Sequence, residues 1–154
     1  MPQLAYTIDI ARPVEDVFDV VADPRNDHRW CERVRGCEAV DGGEPRVGAR
    51  YEVEHRPSLH RAHTRRIEIV ELDRPAKVVS VQEDQIAHWT ISYLLEPNGD
   101  GGTRLTQRDD IEWRVTPIGR PIARRIVGQH LGEQLRTLKA LLESPAGRSE
   151  RREP

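Results

Sequence analysis

The 154-residue sequence has one phenylalanine, one methionine, two cysteines and two lysines, Lys77 and Lys139, and it has no long apolar run. Each shortage excludes something. Cys31 and Cys37 are too few for a disulfide scaffold, and their spacing matches no zinc knuckle, so two reduced thiols are expected. No segment approaches the roughly 20 apolar residues that cross a bilayer. Met1 leads directly into an alternating segment rather than a signal peptide, so the expectation is a cytoplasmic protein without membrane insertion. Basic and acidic side chains number 24 and 26, a net charge of −2, which leaves no broad basic surface for nucleic acid; Arg124 and Arg125 make only a local patch. There is no G-x-S-x-G nucleophile elbow. The glycines from Gly99 to Gly102 sit between two candidate strands and do not open a helix, so they form no phosphate loop. No cofactor is implied.

What is present is periodicity. Leu4, Tyr6, Ile8 and Ile10 alternate as a half-buried strand, and Pro13 stops it. Val14, Val17, Phe18 and Val21 then follow at helical spacing, with Pro13 at a favourable starting position. Asp23-Pro24 ends that helix, and Pro24 to Trp30 has room for one or two further turns. From Val34 to Trp113 the period is two. Strands are expected at Val34 to Val40, Arg50 to Arg56, Thr64 to Leu72, Lys77 to Glu83, His88 to Glu96 and Thr103 to Trp113. The breakers between them, among them Asp41-Gly42-Gly43, Pro57-Ser58, Asp73-Arg74-Pro75 and the Pro97 to Gly102 run, are too short to hold crossover helices. An antiparallel meander follows.

Beyond Pro117 the period changes again, and Ile118 to Glu143 reads as one helix of roughly 39 Å. Its second half carries a stripe of Val127, Leu131, Leu135, Leu138, Leu141 and Leu142. Ile118, Ile122 and Ile126 project from another side, which predicts a bend or a change of packing partner at Gly128. Ser144 to Pro154 is polar and aperiodic, and is expected to be a disordered tail behind a single domain spanning Met1 to Glu143.

Residue-level resemblance joins this order of elements. Ile10-Ala11-Arg12-Pro13-Val14-Glu15-Asp16-Val17-Phe18, Asp23-Pro24 and Trp30 look like the opening of the START-like polyketide cyclase/dehydrase (SRPBCC) superfamily. Val47-Gly48-Ala49-Arg50, Asp73-Arg74-Pro75, Gly102-Thr103-Arg104-Leu105 and the Leu138 to Glu143 run fall where that superfamily has similar landmarks. The resemblance implies an α+β helix-grip fold like that of the birch-pollen allergen. In it a curved seven-stranded antiparallel sheet wraps a long C-terminal helix, two short helices follow the first strand, and a cavity holds a hydrophobic small molecule. These landmarks belong to the fold and bring no catalytic residues with them. A homodimer is a further expectation, from the family and from the three isoleucines.

Strand parity then proposes which residues face the cavity. Leu105, Gln107, Asp109, Ile111 and Trp113 share one face, as do Trp89, Ile91, Tyr93 and Leu95, and as do Tyr51, Val53 and His55. For the Lys77 strand, Val79 and Val81 compete with Val78 and Ser80, and parity leaves the choice open. A carboxylate among apolar neighbours needs a partner. Arg65 can supply one to Asp109 as a structural ion pair, or Asp109, Arg65, Tyr93 and His55 can converge as polar anchors on a ligand. His130 and Gln134 flank the helical stripe; a histidine there suits general acid/base work or a bond to a neighbouring strand. Tyr51, Trp89, Tyr93 and Trp113, all inward by parity, offer aromatic walls for a planar or polyene ligand, although core packing accounts equally for Trp89. His55, His60 and His63 crowd one hairpin and can form either a metal site or a polar rim; the reading taken is that no metal is bound.

The candidate catalytic residues are therefore His55, Tyr93, Asp109 and His130, and the candidate substrate-binding residues are Trp30, Tyr51, Arg65, Trp89, Gln107, Trp113 and Gln134. The leading functional expectation is a cyclase/dehydrase-like enzyme of bacterial secondary metabolism. A non-catalytic carrier of hydrophobic ligands is the alternative, and a partner-binding module using the start of the last helix is a third, weaker one.

Overall fold

The computed structural model describes residues 3–58 and 61–145, with side chains left out at 57–58 and 61–63. Strand β1 (Gln3–Ile10) leads into helix α1 (Val14–Val21) and a 3-10 turn (Pro24–Arg29). Strands β2 (Val34–Ala39), β3 (Arg50–Ser58), β4 (Arg61–Asp73), β5 (Lys77–Glu83), β6 (Ala87–Pro97) and β7 (Thr103–Trp113) follow, and helix α2 (Arg120–Glu143) closes the order. The sheet runs β1-β7-β6-β5-β4-β3-β2, with every pairing antiparallel. This is the meander that the short breakers require. One breaker is misread from sequence: β3 continues through Pro57 to Ser58. The tail beyond residue 145 lies outside the described residues, as does His60.

Helix α2 is continuous through Gly128, and what changes there is its surroundings. Ile118, Ile122 and Ile126 are exposed, whereas Leu131, Leu135, Leu138 and Leu142 are buried against the concave face of the sheet. The C-terminal end of α2 is clamped by the junction of β1 and α1. Arg12 donates through Nη1 to the Leu142 carbonyl at 2.8 Å, one of the last carbonyls that a helix leaves without an internal partner. The same guanidinium pairs with Asp16 at 2.7 Å, and both side chains are buried. Thr103 Oγ1 donates to the Arg12 carbonyl at 2.8 Å, and the Ala11 amide donates to Glu143 Oε1 at 2.8 Å. The helix is thereby fixed at one end and spans the sheet toward an opening at the other. No described helix is long and apolar enough to cross a membrane.

The pairing settles the face of β5. Val78 stands opposite Tyr93, Ser80 opposite Ile91 and Gln82 opposite Trp89, so Ser80 and Gln82 face inward. Both are buried, and Gln82 Nε2 donates to Ser80 Oγ at 3.1 Å.

Candidate functional site

A cavity of about 450 Å³ lies between the sheet and the N-terminal half of α2. That is within the usual size of a small-molecule site. Its helical wall is Ala123, Val127, His130, Leu131 and Gln134, residues that recur at helical spacing along one face. Its sheet wall alternates as parity requires: Gln107, Asp109 and Trp113 from β7, Trp89, Ile91 and Tyr93 from β6, Gln82 from β5, Arg65 and Ile67 from β4, Val53 and His55 from β3. The turn after α1 adds Asp27 and Cys31, and Ile86 and Ile126 stand exposed at the rim. His55, Tyr93, Asp109, His130, Arg65, Trp89, Gln107, Trp113 and Gln134 are thus brought to one cavity.

Two expected members are placed elsewhere. Tyr51 shares its strand face with His55 but lies four residues along it, about 13 Å away. It is buried there, donating its hydroxyl to the Gly43 carbonyl at 2.9 Å. Trp30 is in the core behind Tyr93, with the two rings edge to face at 6.3 Å between centroids. It supports the wall without forming it.

The expected ion pair between Arg65 and Asp109 is absent. Strands β6 and β5 intervene between β7 and β4, so three interstrand steps of about 4.8 Å separate the two residues. Arg65 instead pairs with Asp84 at 2.8 Å, bonds Gln82 Oε1 at 3.3 Å and lies 4.6 Å over the Trp89 ring. Burial alone would raise the Asp84 carboxyl. The Arg65 charge and the backbone amides of Ile86 and Ala87 outweigh it and hold Asp84 below the usual carboxylate range. This pair ties the β5–β6 turn to β4, and with the Gln82 bond it takes up three of the five N–H donors of Arg65.

Asp109 is 4% exposed, and it accepts one hydrogen bond from Gln107 Nε2 at 2.9 Å. Desolvation, only partly offset by that bond and by the more distant Arg65 charge, pushes it up to about 6. Burial likewise pushes the Tyr93 phenol well above its ordinary value, with the charges of Asp27 and Asp109 adding to the effect, so Tyr93 is a neutral hydroxyl at physiological pH. Asp27 is also raised by desolvation, reinforced by Asp23. The Cys31 thiol is raised by burial, which makes it an inert thiol rather than a nucleophile. His130 Nε2 lies 3.1 Å from Arg33 Nη1, and a guanidinium only donates. That nitrogen therefore carries the lone pair, the proton sits on Nδ1 toward Glu133, and His130 is committed as an acceptor. His55 is buried at the wall, opposite His63 in the backbone register. Among the described residues no group of His, Cys, Asp and Glu is placed to hold a metal; the suggested trio includes His60, outside that range.

Asp27 was missed by strand parity because it lies on no strand. A 3-10 turn has three residues per turn, so Pro24, Asp27 and Trp30 point the same way, and the spacing of buried Pro24 and Trp30 is the signal that carries Asp27 inward. The Asp23 side chain caps this turn by accepting from the Arg25 amide at 3.0 Å.

A protein-family model described as polyketide cyclase / dehydrase and lipid transport matches residues 1–143. No curated protein matches the chain. Among solved structures, a START superfamily protein from Mycobacterium smegmatis is 15% identical, with a TM-score of 0.77 over 92% of this chain and 97% of that one. The Zhui aromatase/cyclase from Streptomyces sp. R1128 is 16% identical, with a TM-score of 0.75 over 95% and 98% of the two chains. The di-domain ARO/CYC BexL from the BE-7585A biosynthetic pathway is 19% identical, with a TM-score of 0.75 over 94% of this chain and 48% of its own. At such identities the likeness is one of fold.

Proposed function

The chain belongs to the polyketide cyclase/dehydrase and lipid transport family, and on that premise we propose that it encloses a hydrophobic small molecule between sheet and helix and acts on it as a cyclase/dehydrase-like enzyme of bacterial secondary metabolism. The observation that carries this reading is Asp109, a buried carboxyl raised to about 6 on the wall of a largely apolar cavity. A base poised near the working pH is what removal of a proton beside a carbonyl calls for. In a dehydration, the Asp109 carboxylate takes the proton from the carbon next to the carbonyl and Tyr93 gives its proton to the departing hydroxyl. The carbon–oxygen bond breaks, water leaves with a new carbon–carbon double bond in place, and the proton on Asp109 returns to the Tyr93 oxygen. Enclosure by Trp89, Trp113 and the apolar face of α2 fixes the chain's conformation, which favours one ring closure over others.

A second reading, a non-catalytic carrier, is favoured by one specific feature. Arg65 is engaged by Asp84 and Gln82, so this cation is held away from an enolate rather than turned toward it. Native mass spectrometry of protein purified from its own host, compared with denatured extracts, identifies the molecule carried along. Turnover of that molecule by wild type, reduced about a hundredfold or more in Asp109→Asn, is the result expected of the enzyme. Binding without turnover supports the carrier, and an empty protein indifferent to hydrophobic ligands removes both readings.

A further inference from the structure

The two ends of the cavity differ in chemistry. Pairing of β6 with β7 orders the wall by depth: Ala87 stands opposite Trp113, Trp89 opposite Ile111, Ile91 opposite Asp109, and Tyr93 opposite Gln107. Trp113 is half-buried near exposed Ile86 and Ile126, which marks the mouth. Beyond Tyr93 and Gln107 the next inward-facing pair, Leu95 and Leu105, is packed core. Tyr93 and Gln107 are therefore the closed end, about 20 Å along β7 from Trp113.

The polar atoms at that end are predominantly acceptors. Gln107 is 3% exposed; its Nε2 is used by Asp109, and its buried Oε1 has no partner among the described residues. The Asp109 and Asp27 carboxyls border the same space, and the Tyr93 hydroxyl can accept as well as donate. Of the two guanidinium groups that line the cavity, Arg65 stands toward the mouth with donors directed at Asp84 and Gln82, and Arg33 lies against His130 of α2. The other wall atom without a partner among the described residues, Trp89 Nε1, is a donor four residues nearer the mouth on β6, where a neutral carbonyl oxygen fits.

We propose that the closed end receives the hydrogen-bond-donating head, a hydroxyl or an ammonium, of an otherwise apolar ligand and discriminates against a carboxylate head. The inference rests on the hydrophobic-ligand reading above and adds to it a ligand class. A donor placed against Gln107 Oε1 satisfies an acceptor that the fold leaves unmet. A carboxylate in its place meets the ionised Asp109 and the acceptor oxygen of Gln107, while Arg65 is turned to Asp84 and Gln82. The low dielectric that raises both Asp27 and Asp109 also leaves that repulsion poorly screened.

The test is isothermal titration calorimetry of the full chain at about pH 8, where Asp109 is ionised, with 1-decanol, decylamine and decanoate as probes. The alcohol and the amine should bind about tenfold or more tightly than the acid. Decanoate binding as well as either of them overturns the inference while leaving the cavity reading intact; failure of all three probes removes the cavity reading, and the inference with it. Gln107→Met removes the acceptor at similar volume and should weaken 1-decanol about fivefold or more. If that variant does not fold, Asp109→Asn serves: it should weaken decylamine about fivefold and leave 1-decanol within about twofold. Unchanged decylamine affinity there, or unchanged 1-decanol affinity in a folded Gln107→Met, places the head elsewhere and overturns the proposal.

Discussion

Asp109→Asn isolates what the buried carboxylate costs the fold. The side chain changes by one atom, and the bond from Gln107 Nε2, now 2.9 Å to Oδ1, can be kept by the asparagine oxygen. The difference is charge. Asp109 holds its proton to about 6, against an ordinary 3.8, because desolvation penalises the ionised form. At about 1.4 kcal/mol per pH unit, that gap is worth about 3 kcal/mol. The folded state binds more protons than the unfolded state between about pH 4 and 6, so the contribution of this group to stability falls as pH rises through that window and is lowest above it. Asparagine has no such titration. The variant should match wild type near pH 4 and exceed it by about 3 kcal/mol at pH 8, which is about 1.5 M in the urea midpoint at an unchanged slope of about 2 kcal/mol/M. Urea unfolding followed by circular dichroism at the two pH values measures it. A wild type as stable as the variant at pH 8 refutes the reasoning, because the carboxylate would then be compensated by a partner rather than desolvated. Gain of stability with loss of turnover would mark Asp109 as a residue kept for its chemistry.

Two structural predictions stand beside it. Asp84→Ala leaves Arg65 without its carboxylate partner and removes the one oxygen that accepts from the Ile86 and Ala87 amides in the β5–β6 turn, so it should cost about 3 to 5 kcal/mol in urea unfolding. Since Asp84 is held below the usual range, the wild-type advantage should be full at neutral pH and lost as acid protonates it. Arg12→Met removes the donor to the Leu142 carbonyl and the cation beside buried Asp16; it should cost about 3 kcal/mol and speed amide exchange selectively in the last turn of α2.

The strands were legible because each has one face against the core and one toward solvent, and a period of two is the direct record of that asymmetry. The same parity placed Gln107, Asp109 and Tyr93 on the cavity wall before any register was known. It was silent where both faces of a strand carry short apolar residues, as on β5, and there only the pairing of Ser80 with Ile91 and Gln82 with Trp89 decided the face.

Parity says which face a residue is on, and partner choice needs a second coordinate, the register. Arg66 stands opposite Glu83 and Ile67 opposite Gln82, so the next step along the ladder brings Arg65 to Asp84. From sequence alone, every inward acidic residue was an equal candidate, and Asp109 was the one that most needed a cation. The fold gave that cation to the turn instead. Arg65 with Asp84 secures the β5–β6 turn beside the mouth, and Asp109 is left with one amide donor and a proton that it holds to about 6. Had the ion pair run to Asp109, its carboxylate would have been locked in the charged form and of little use as a base near neutral pH. The neighbouring carboxylate that takes the guanidinium is therefore what leaves Asp109 able to exchange a proton with whatever the cavity encloses.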